Sequence, residues 1–465
     1  MSDFHQSHRV ISEEYRNKLL GYFSKLMQPE IFSASKVIDP QNFYLGFKNY
    51  SVPLISIEID RLKSSLPDYG NSHLLLLKTT VLVDTVLQAA FKAAIWIYKH
   101  TQQKDLLLND IPIAVMACGG YGREETYFRS DVGIQIISKP GLTEYQAEEA
   151  EQIVKHLEYL VVHQNIFQTS VSACYTKSYS LEQKLSPKQL INLFSLLESR
   201  LVAGNSVVYS EFMSVVETAS INQKDTLLNL CYGHKNYYEV LNTVFQQEPN
   251  VKEELNRLYW ALTLVRLKHN IKRTNQFELL DELFEKELLS APSFKKIHFA
   301  FEFLSKVRLF LHCHQKGSHR DVMSYEVREK IAQSMGDNVK TFFHKYFYEA
   351  AYPLKIYSRN IFWESMTPDT EKVKNLSRNF YVNSKNQILL DKESSELFSK
   401  NPIKIFKIFA WISEKNYFLS YPIVRAIEHH LDQMCPIFIN TEDRKEVQLN
   451  FKRVINGKYF SKALR

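Results

Sequence analysis

A chain of 465 residues is too long for one simple core, so two to four domains are expected, and 45% hydrophobic with 23% charged residues is the balance of a globular protein. The net charge of +7 is mild and no run of five or more Lys or Arg occurs, which argues against a dedicated nucleic-acid surface and leaves room for a basic patch that meets phosphates. Five scattered cysteines without a Cys-x-x-Cys, a polar N-terminus, and no apolar stretch of roughly 18–20 residues point to a cytoplasmic protein with buried thiols and no membrane span.

Only 13 glycines and 14 prolines indicate a mostly helical chain, for which 26 tyrosines and 30 phenylalanines supply large core anchors. Residues 1–105 read as an N-terminal helical region. Within 74–98, Asp84, Gln88 and Lys92 fall at steps of four, one wet stripe on an otherwise apolar helix. Residues 106–212 read as a second domain, in which strands and helices alternate from about 106 to 180. The stretch 111–137, IPIAVMACGGYGREETYFRSDVGIQII, predicts a strand, a glycine turn, a short helix and a second strand. Lys139-Pro140-Gly141 is a turn signal, and Thr143 with Gln146 makes a capping box. Ile153, Val154, Leu157, Leu160 and Val161 form a helical stripe, and 167–175 alternates as a third strand. Residues 181–200 read as a helix ending near Gly204-Asn205.

Residues 213–366 read as a helical bundle, with a break near Pro249 and a helix over 294–312 on which Phe299, Phe303, Val307, Phe310 and Leu311 share a face. The last part, 367–465, begins with a polar linker to 379. A short strand pair over 380–390 follows, then a helix capped by Asn401 with Pro402 at its first position, and helices over 421–434 and 441–456. The expected fold class is α+β, mostly helical.

The chemistry concentrates in 111–137. Transfer of a nucleoside monophosphate needs two hard cations held by oxygen ligands. An Asp-x-Asp pair in a strand aims two carboxylates at one face, and a preceding Gly-Gly turn lets backbone N–H groups approach phosphates. Gly119, Gly120, Gly122 and Arg123 make such a turn, with Ser130 and Asp131 leading the next strand. The position two beyond Asp131 is Gly133, which offers no ligand; Gln135 shares the face as a neutral donor of oxygen. Glu124 and Glu125 would sit at a helix N-terminus, where negative charge is favoured, or serve as substitute metal ligands. The plainer alternative is a hairpin-like turn with a surface aspartate. Cys118 is expected to pack under the turn. His312, Cys313, His314 and His319 with Asp321 read as helix-end groups and not as a zinc site, and Glu428-His429-His430 with Asp432 as an exposed helix face.

On those residues, GGYGREETYFRSDVGI at 119–134 resembles the nucleotidyltransferase motif of the bifunctional uridylyltransferase/uridylyl-removing enzymes that modify PII signal proteins. A related family of CBS-fused nucleotidyltransferases carries a similar run. SLLESRLVAGN at 195–205 and LHCHQKGSHRDVMSYEVREKIAQSMG at 311–336 resemble later helical segments of the same family, so the likeness spans residues 105–460. The resemblance implies a nucleotidyltransferase (polymerase-beta-like) domain framed by helices. It implies magnesium-dependent transfer of UMP from UTP, or of another NMP from its NTP, to a protein hydroxyl, with a PII-like signal protein or another protein as acceptor. Asp131 would be catalytic and metal-binding, with Glu124 or Glu125 as the candidate second metal ligand; Gly119, Gly120, Gly122, Arg123 and Ser130 would bind the nucleotide.

Family members continue into an HD-type hydrolase domain and two ACT domains, which this chain is expected to lack. Other departures fall on polar active-site elements. Gly133 replaces the second aspartate. A Gly-Gly-Leu-Arg-Asp element is replaced by the run through Asn256-Arg257-Leu258-Tyr259-Trp260. The third strand reads Gln168-Thr169-Ser170-Val171-Ser172 without the family's histidine and arginine, and Val162 stands near an expected aspartate. Two expectations follow: a divergent nucleotidyltransferase with weakened catalysis, or a catalytically silent relative that binds a nucleotide or a protein. An RNA-processing role rests only on analogy of fold and on the net charge of +7.

Overall fold

The computed structural model describes residues 2–32, 39–67, 72–104, 106, 111–167, 170–177, 187–234, 248–315, 317, 320–365, 373–384, 386–391, 397–430 and 441–463. Gln168, Thr169, His319, Asp432 and Cys435 lie outside them, as do the side chains of Glu428, His429 and His430.

The site rests on a four-stranded sheet of order β3-β2-β1-β4. Strand β1 (Ile113–Cys118) is apolar on both faces, so it must be covered on both. It pairs antiparallel with β2 (Val132–Ser138), Cys118 opposite Gly133 and Met116 opposite Gln135. Strand β3 (Val171–Thr176) runs parallel to β2, which demands a crossover. Helix α5 (Glu144–Glu158) supplies it and opens with the expected Thr143–Gln146 capping box. Val162 lies in the π-helical turn that continues this helix.

The other edge corrects the sequence expectation. The helix before it, α6 (Pro187–Leu197), stops at Leu197, and β4 (Arg200–Gly204) pairs antiparallel with β1. Leu201 and Val202 suit a half-buried strand. Gly204 takes φ +92°, and a Cβ there would overlap the carbonyl oxygen of Ile113, so the close approach of these two strands requires glycine.

One sheet face, through Ile113, Val115 and Ala117, shares a core with the N-terminal helices α1 (Ser2–Tyr22), α2 (Pro40–Ser64) and α3 (Ser72–Gln102) and with α5. Helix α3 is buried nearly all round. By length and composition it is apolar enough to cross a membrane, which the sequence analysis did not anticipate, but 89% of its most apolar window is buried inside the fold. Its polar stripe is not wet throughout: Asp84 is 2% exposed and Gln88, half-buried, donates to the Val202 carbonyl at 3.0 Å, so both tie the helix to β4, while Lys92 is exposed.

The opposite face, through Ala114 and Met116, joins the core of the helices that follow. Among these, α7 (Ser206–Asn222), α8 (Lys224–Gly233), α9 (Val251–His269), α10 (Gln276–Glu285) and α11 (Ala291–His314) border the sheet or back its neighbours. Phe303, Val307, Phe310 and Leu311 of α11 are buried as expected, but Phe299 is 45% exposed and falls off that face. Beyond it, the helical residues 339–365 include a π-helical stretch, Lys345–Ala351.

The C-terminal residues have a core of their own, built on Phe380, Phe398, Ile408, Trp411 and Ile423. The expected strand pair, β6 (Phe380–Val382) and β7 (Gln387–Leu390), is the centre of a four-stranded sheet with β5 (Lys374–Asn375) and β8 (Phe418–Leu419). The helix placed after Asn401 begins at Lys404 with Ile403 as its cap, so Asn401 does not cap it. The described residues are mostly helical with two small sheets, an α+β arrangement.

Candidate functional site

A cleft of about 660 Å³ opens between the sheet and the helices on its second face. The end of β1, the glycine turn, Ser130, Asp131 and Gly133 form one wall; Ser172, Cys174 and Thr176 of β3 form another; Lys252 and Asn256 of α9, Arg308 of α11 and Arg320 close it. Gly119, Gly120, Arg123, Ser130 and Asp131 are thereby brought to one cavity. Of the other predicted site residues, Glu125 lines it too, and Gly122 and Glu124 do not.

The turn is a single helical turn made by the glycines themselves, α4 (Gly119–Gly122). This corrects the expectation that Glu124 and Glu125 open a helix after it. Gly119 takes φ +61°, and Gly120 has no neighbour nearer than 3.7 Å to a built Cβ, so backbone is bared toward the cleft. Gly122 serves packing instead: a Cβ would overlap the Glu198 carbonyl oxygen and stand 2.9 Å from that of Ala117.

Arg123 is engaged from three sides. Its Nε donates to Glu125 at 2.9 Å, its Nη1 donates to Glu198 at 2.7 Å, and its guanidinium lies 4.4 Å over the Tyr259 ring. Burial works against its charge, but Glu125 and Glu198 outweigh burial and raise its pKa further. Glu125, 5% exposed, also accepts from the Gln276 backbone at 2.7 Å and side chain at 2.8 Å. Glu124, in a left-handed conformation at φ +63°, turns away to Arg9 of α1 at 2.5 Å. Burial would raise its pKa, yet the Arg9 bond lowers it.

Asp131 directly precedes β2 and is the one carboxylate of the expected pair. Its side chain is 48% exposed, and its Oδ2 is held by Arg320 Nη2 at 2.8 Å. Arg320 is anchored from behind. Its neighbour Asp321 accepts from Arg308 Nε at 2.6 Å and from His312 Nε2 at 3.0 Å, and the Asp321 carbonyl accepts the Val251 N–H at the start of α9. His312 Nδ1 accepts the Arg129 N–H, so its other nitrogen carries the proton toward Asp321. Burial pulls this histidine down to about 4, against the pull of Asp321, and it is neutral. The histidine cluster is therefore not a zinc site in the described residues: His312 is fully buried and His314 exposed.

The position for a second carboxylate carries no side chain and is tight. Gly133 sits opposite Cys118, and a Cβ there would lie 3.2 Å from the Cys118 carbonyl oxygen. The adjoining strand offers the hydroxyls of Ser172 and Thr176 and the thiol of Cys174. Burial pushes the Cys118 thiol up to about 12, which fits a packed group and not a nucleophile. Among the described residues no three His, Cys, Asp or Glu side chains gather where they could hold a metal ion. A pair of divalent cations is what the resemblance implies. One half-exposed aspartate already paired with an arginine, beside hydroxyls and a thiol, does not fit them.

Sequence reasoning missed the residues that fix the turn. Glu198, 2% exposed, also accepts from Tyr259 at 2.9 Å and lies 3.5 Å from Arg266. Arg200 forms a two-pronged pair with Asp84, at 2.8 and 2.7 Å, and Asp84 accepts the Tyr121 hydroxyl at 2.6 Å. The signal was present: Glu198 and Arg200 both stand in the SLLESRLVAGN run. Arg320 stands in the 311–336 run, but its pairing with Asp131 spans 189 positions and no local pattern shows it.

A glycine turn and an aspartate that share a cleft with basic side chains form an arrangement that suits phosphate groups. Comparison with known proteins narrows it. Residues 234–355 match the family described as GlnD PII-uridylyltransferase. The bifunctional uridylyltransferase/uridylyl-removing enzyme of Legionella pneumophila (strain Corby) is 20% identical over 396 residues, covering 82% of this chain and 43% of that protein. Those of Hydrogenovibrio crunogenus and Idiomarina loihiensis are each 24% identical, over 384 residues (77% of this chain, 39% of that protein) and 237 residues (49% and 25%). The expected resemblance holds: at low identity the chain is similar, over much of its length, to PII uridylyltransferases. It spans less than half the length of these curated relatives.

Proposed function

We propose that this chain is a PII-uridylyltransferase-like protein of nucleotidyltransferase fold whose cleft holds a nucleoside triphosphate, UTP being the first candidate, and whose transfer of UMP to a protein hydroxyl is suppressed. The observation that carries the proposal is the wall shared by Gly119, Gly120, Ser130 and Asp131, with Gly133 at the missing carboxylate and Arg320 on the remaining one. The bared glycine backbone suits phosphate oxygens, and the Ser130 hydroxyl adds a donor. The same relatives make a PII-type protein the first acceptor to try and make Mg²⁺ the metal to test.

Residual transfer is the second reading. Glu125, in the same cleft, is the carboxylate that supports it, and its bonds to Arg123 and Gln276 count against it. The test is incubation with α-labelled UTP and magnesium or manganese, using a PII-type signal protein and a bacterial lysate as acceptors. Incorporation is expected to stay at the level of an Asp131→Ala control. Incorporation that depends on Asp131 would overturn the suppressed reading in favour of a working transferase.

A further inference from the structure

We infer that the cleft takes its triphosphate without a divalent cation, because Arg320 stands where a metal would be held and Asp131 positions that guanidinium. This rests on the proposal that the cleft binds a nucleoside triphosphate. Three observations carry it.

First, Asp131 Oδ2 is occupied by Arg320 Nη2 at 2.8 Å. A cation approaching Asp131 would have to displace a group of like charge. The position two along the strand is Gly133, and the carboxylate of Glu125 in the same cleft is already engaged by Arg123 and Gln276. Second, Arg320 is not a wandering surface side chain: it is 19% exposed and belongs to a segment stitched to the base of α9. The Val251 N–H bonds the Asp321 carbonyl at 2.9 Å, the Met323 N–H bonds the Pro249 carbonyl at 2.9 Å, and Asn250 bridges Val322. A guanidinium held this way is pre-organised, and its planar fork matches phosphate oxygens as a point charge does not. Third, Lys252 stands on the same wall of the cleft, next to that stitched segment, with no carboxylate partner among the described residues. Arg320 and Lys252 together supply positive charge that relatives of this chemistry draw from metal ions. Asp131 is then a positioning residue, acting through Arg320, and not a metal ligand.

The test measures UTP affinity of the full chain by isothermal titration in excess magnesium and again in EDTA. The two dissociation constants are expected to agree within about twofold. Arg320→Ala is expected to weaken binding by roughly ten- to a hundredfold in EDTA, the loss of charge-assisted hydrogen bonds, with Arg320→Lys recovering part of it. Circular dichroism of each variant separates lost binding from lost fold. A wild-type affinity that falls tenfold or more on removing magnesium overturns the inference and leaves the nucleotide cleft standing. Absence of UTP and ATP binding in both media overturns the nucleotide cleft itself, and the inference with it.

Discussion

Glu198→Ala should destabilise the protein by about 3–5 kcal/mol, the cost of removing one partner from a buried charge cluster. Glu198 is 2% exposed and is the common acceptor for Arg123, Tyr259 and Arg266. Its loss leaves the Tyr259 hydroxyl without that acceptor and Arg123 with only Glu125, in a cluster that is largely buried. Glu198→Gln keeps an acceptor for Tyr259 and should cost less. Urea unfolding followed by tryptophan fluorescence measures it, since Trp260 lies in the same neighbourhood, its ring 5.9 Å from Phe194 and 3.7 Å from His234. Glu151→Ala, which breaks the exposed pair with Lys177, should leave the midpoint in place. Equal shifts for Glu198→Ala and Glu151→Ala would contradict the view that Glu198 anchors the turn.

Gly122→Ala should cost about 3 kcal/mol, the upper end of ordinary overpacking. The added methyl meets two backbone oxygens, those of Glu198 and Ala117, and neither can swing aside as a side-chain tip could. Ala117 is in the central strand, and Glu198 is held by its three partners. Gly133→Ala provides the contrast. Its nearest neighbour is the Cys118 oxygen at 3.2 Å, a contact that a shift of a few tenths of an ångström relieves, so its cost should stay below about 1.5 kcal/mol. The two glycines therefore differ in kind: one is required by packing, and the other leaves out a carboxylate that the strand has nearly enough room to carry. A Gly133→Ala midpoint as low as that of Gly122→Ala would refute this distinction.

What was legible in the sequence follows the range of the interaction. The strand–turn–strand around Gly119 and Asp131, the Thr143 cap and the helical bundle are local patterns, and each stood out in a window of a dozen residues. The resemblance reached further, because SLLESRLVAGN and the 311–336 segment are themselves pieces of the frame around the cleft. The failures have a common cause. Strand β4 looks like the tail of a helix until β1 is known to lie beside it, and Gly204 is intelligible only against Ile113. Asp84 looks like a solvent-facing residue until Arg200, 116 positions away, turns its stripe into an attachment point. Arg320 is the most consequential omission. Read alone, Asp131 is a metal ligand that has lost its partner; set against Arg320, it is half of an ion pair. Arg123 changes in the same way, from a free phosphate-binding cation to the centre of a buried cluster with Glu125 and Glu198.

The central claim is that the cleft between the sheet and the helices holds a nucleoside triphosphate. Equilibrium dialysis of labelled UTP and ATP against the full chain tests it directly, alongside Ser172→Trp, which places a large ring on the exposed side of β3 that lines the cleft. Saturable binding of one nucleotide per wild-type chain is expected, and its loss in Ser172→Trp while circular dichroism stays unchanged. No saturable binding to the wild type, or binding that the tryptophan leaves untouched, would contradict it.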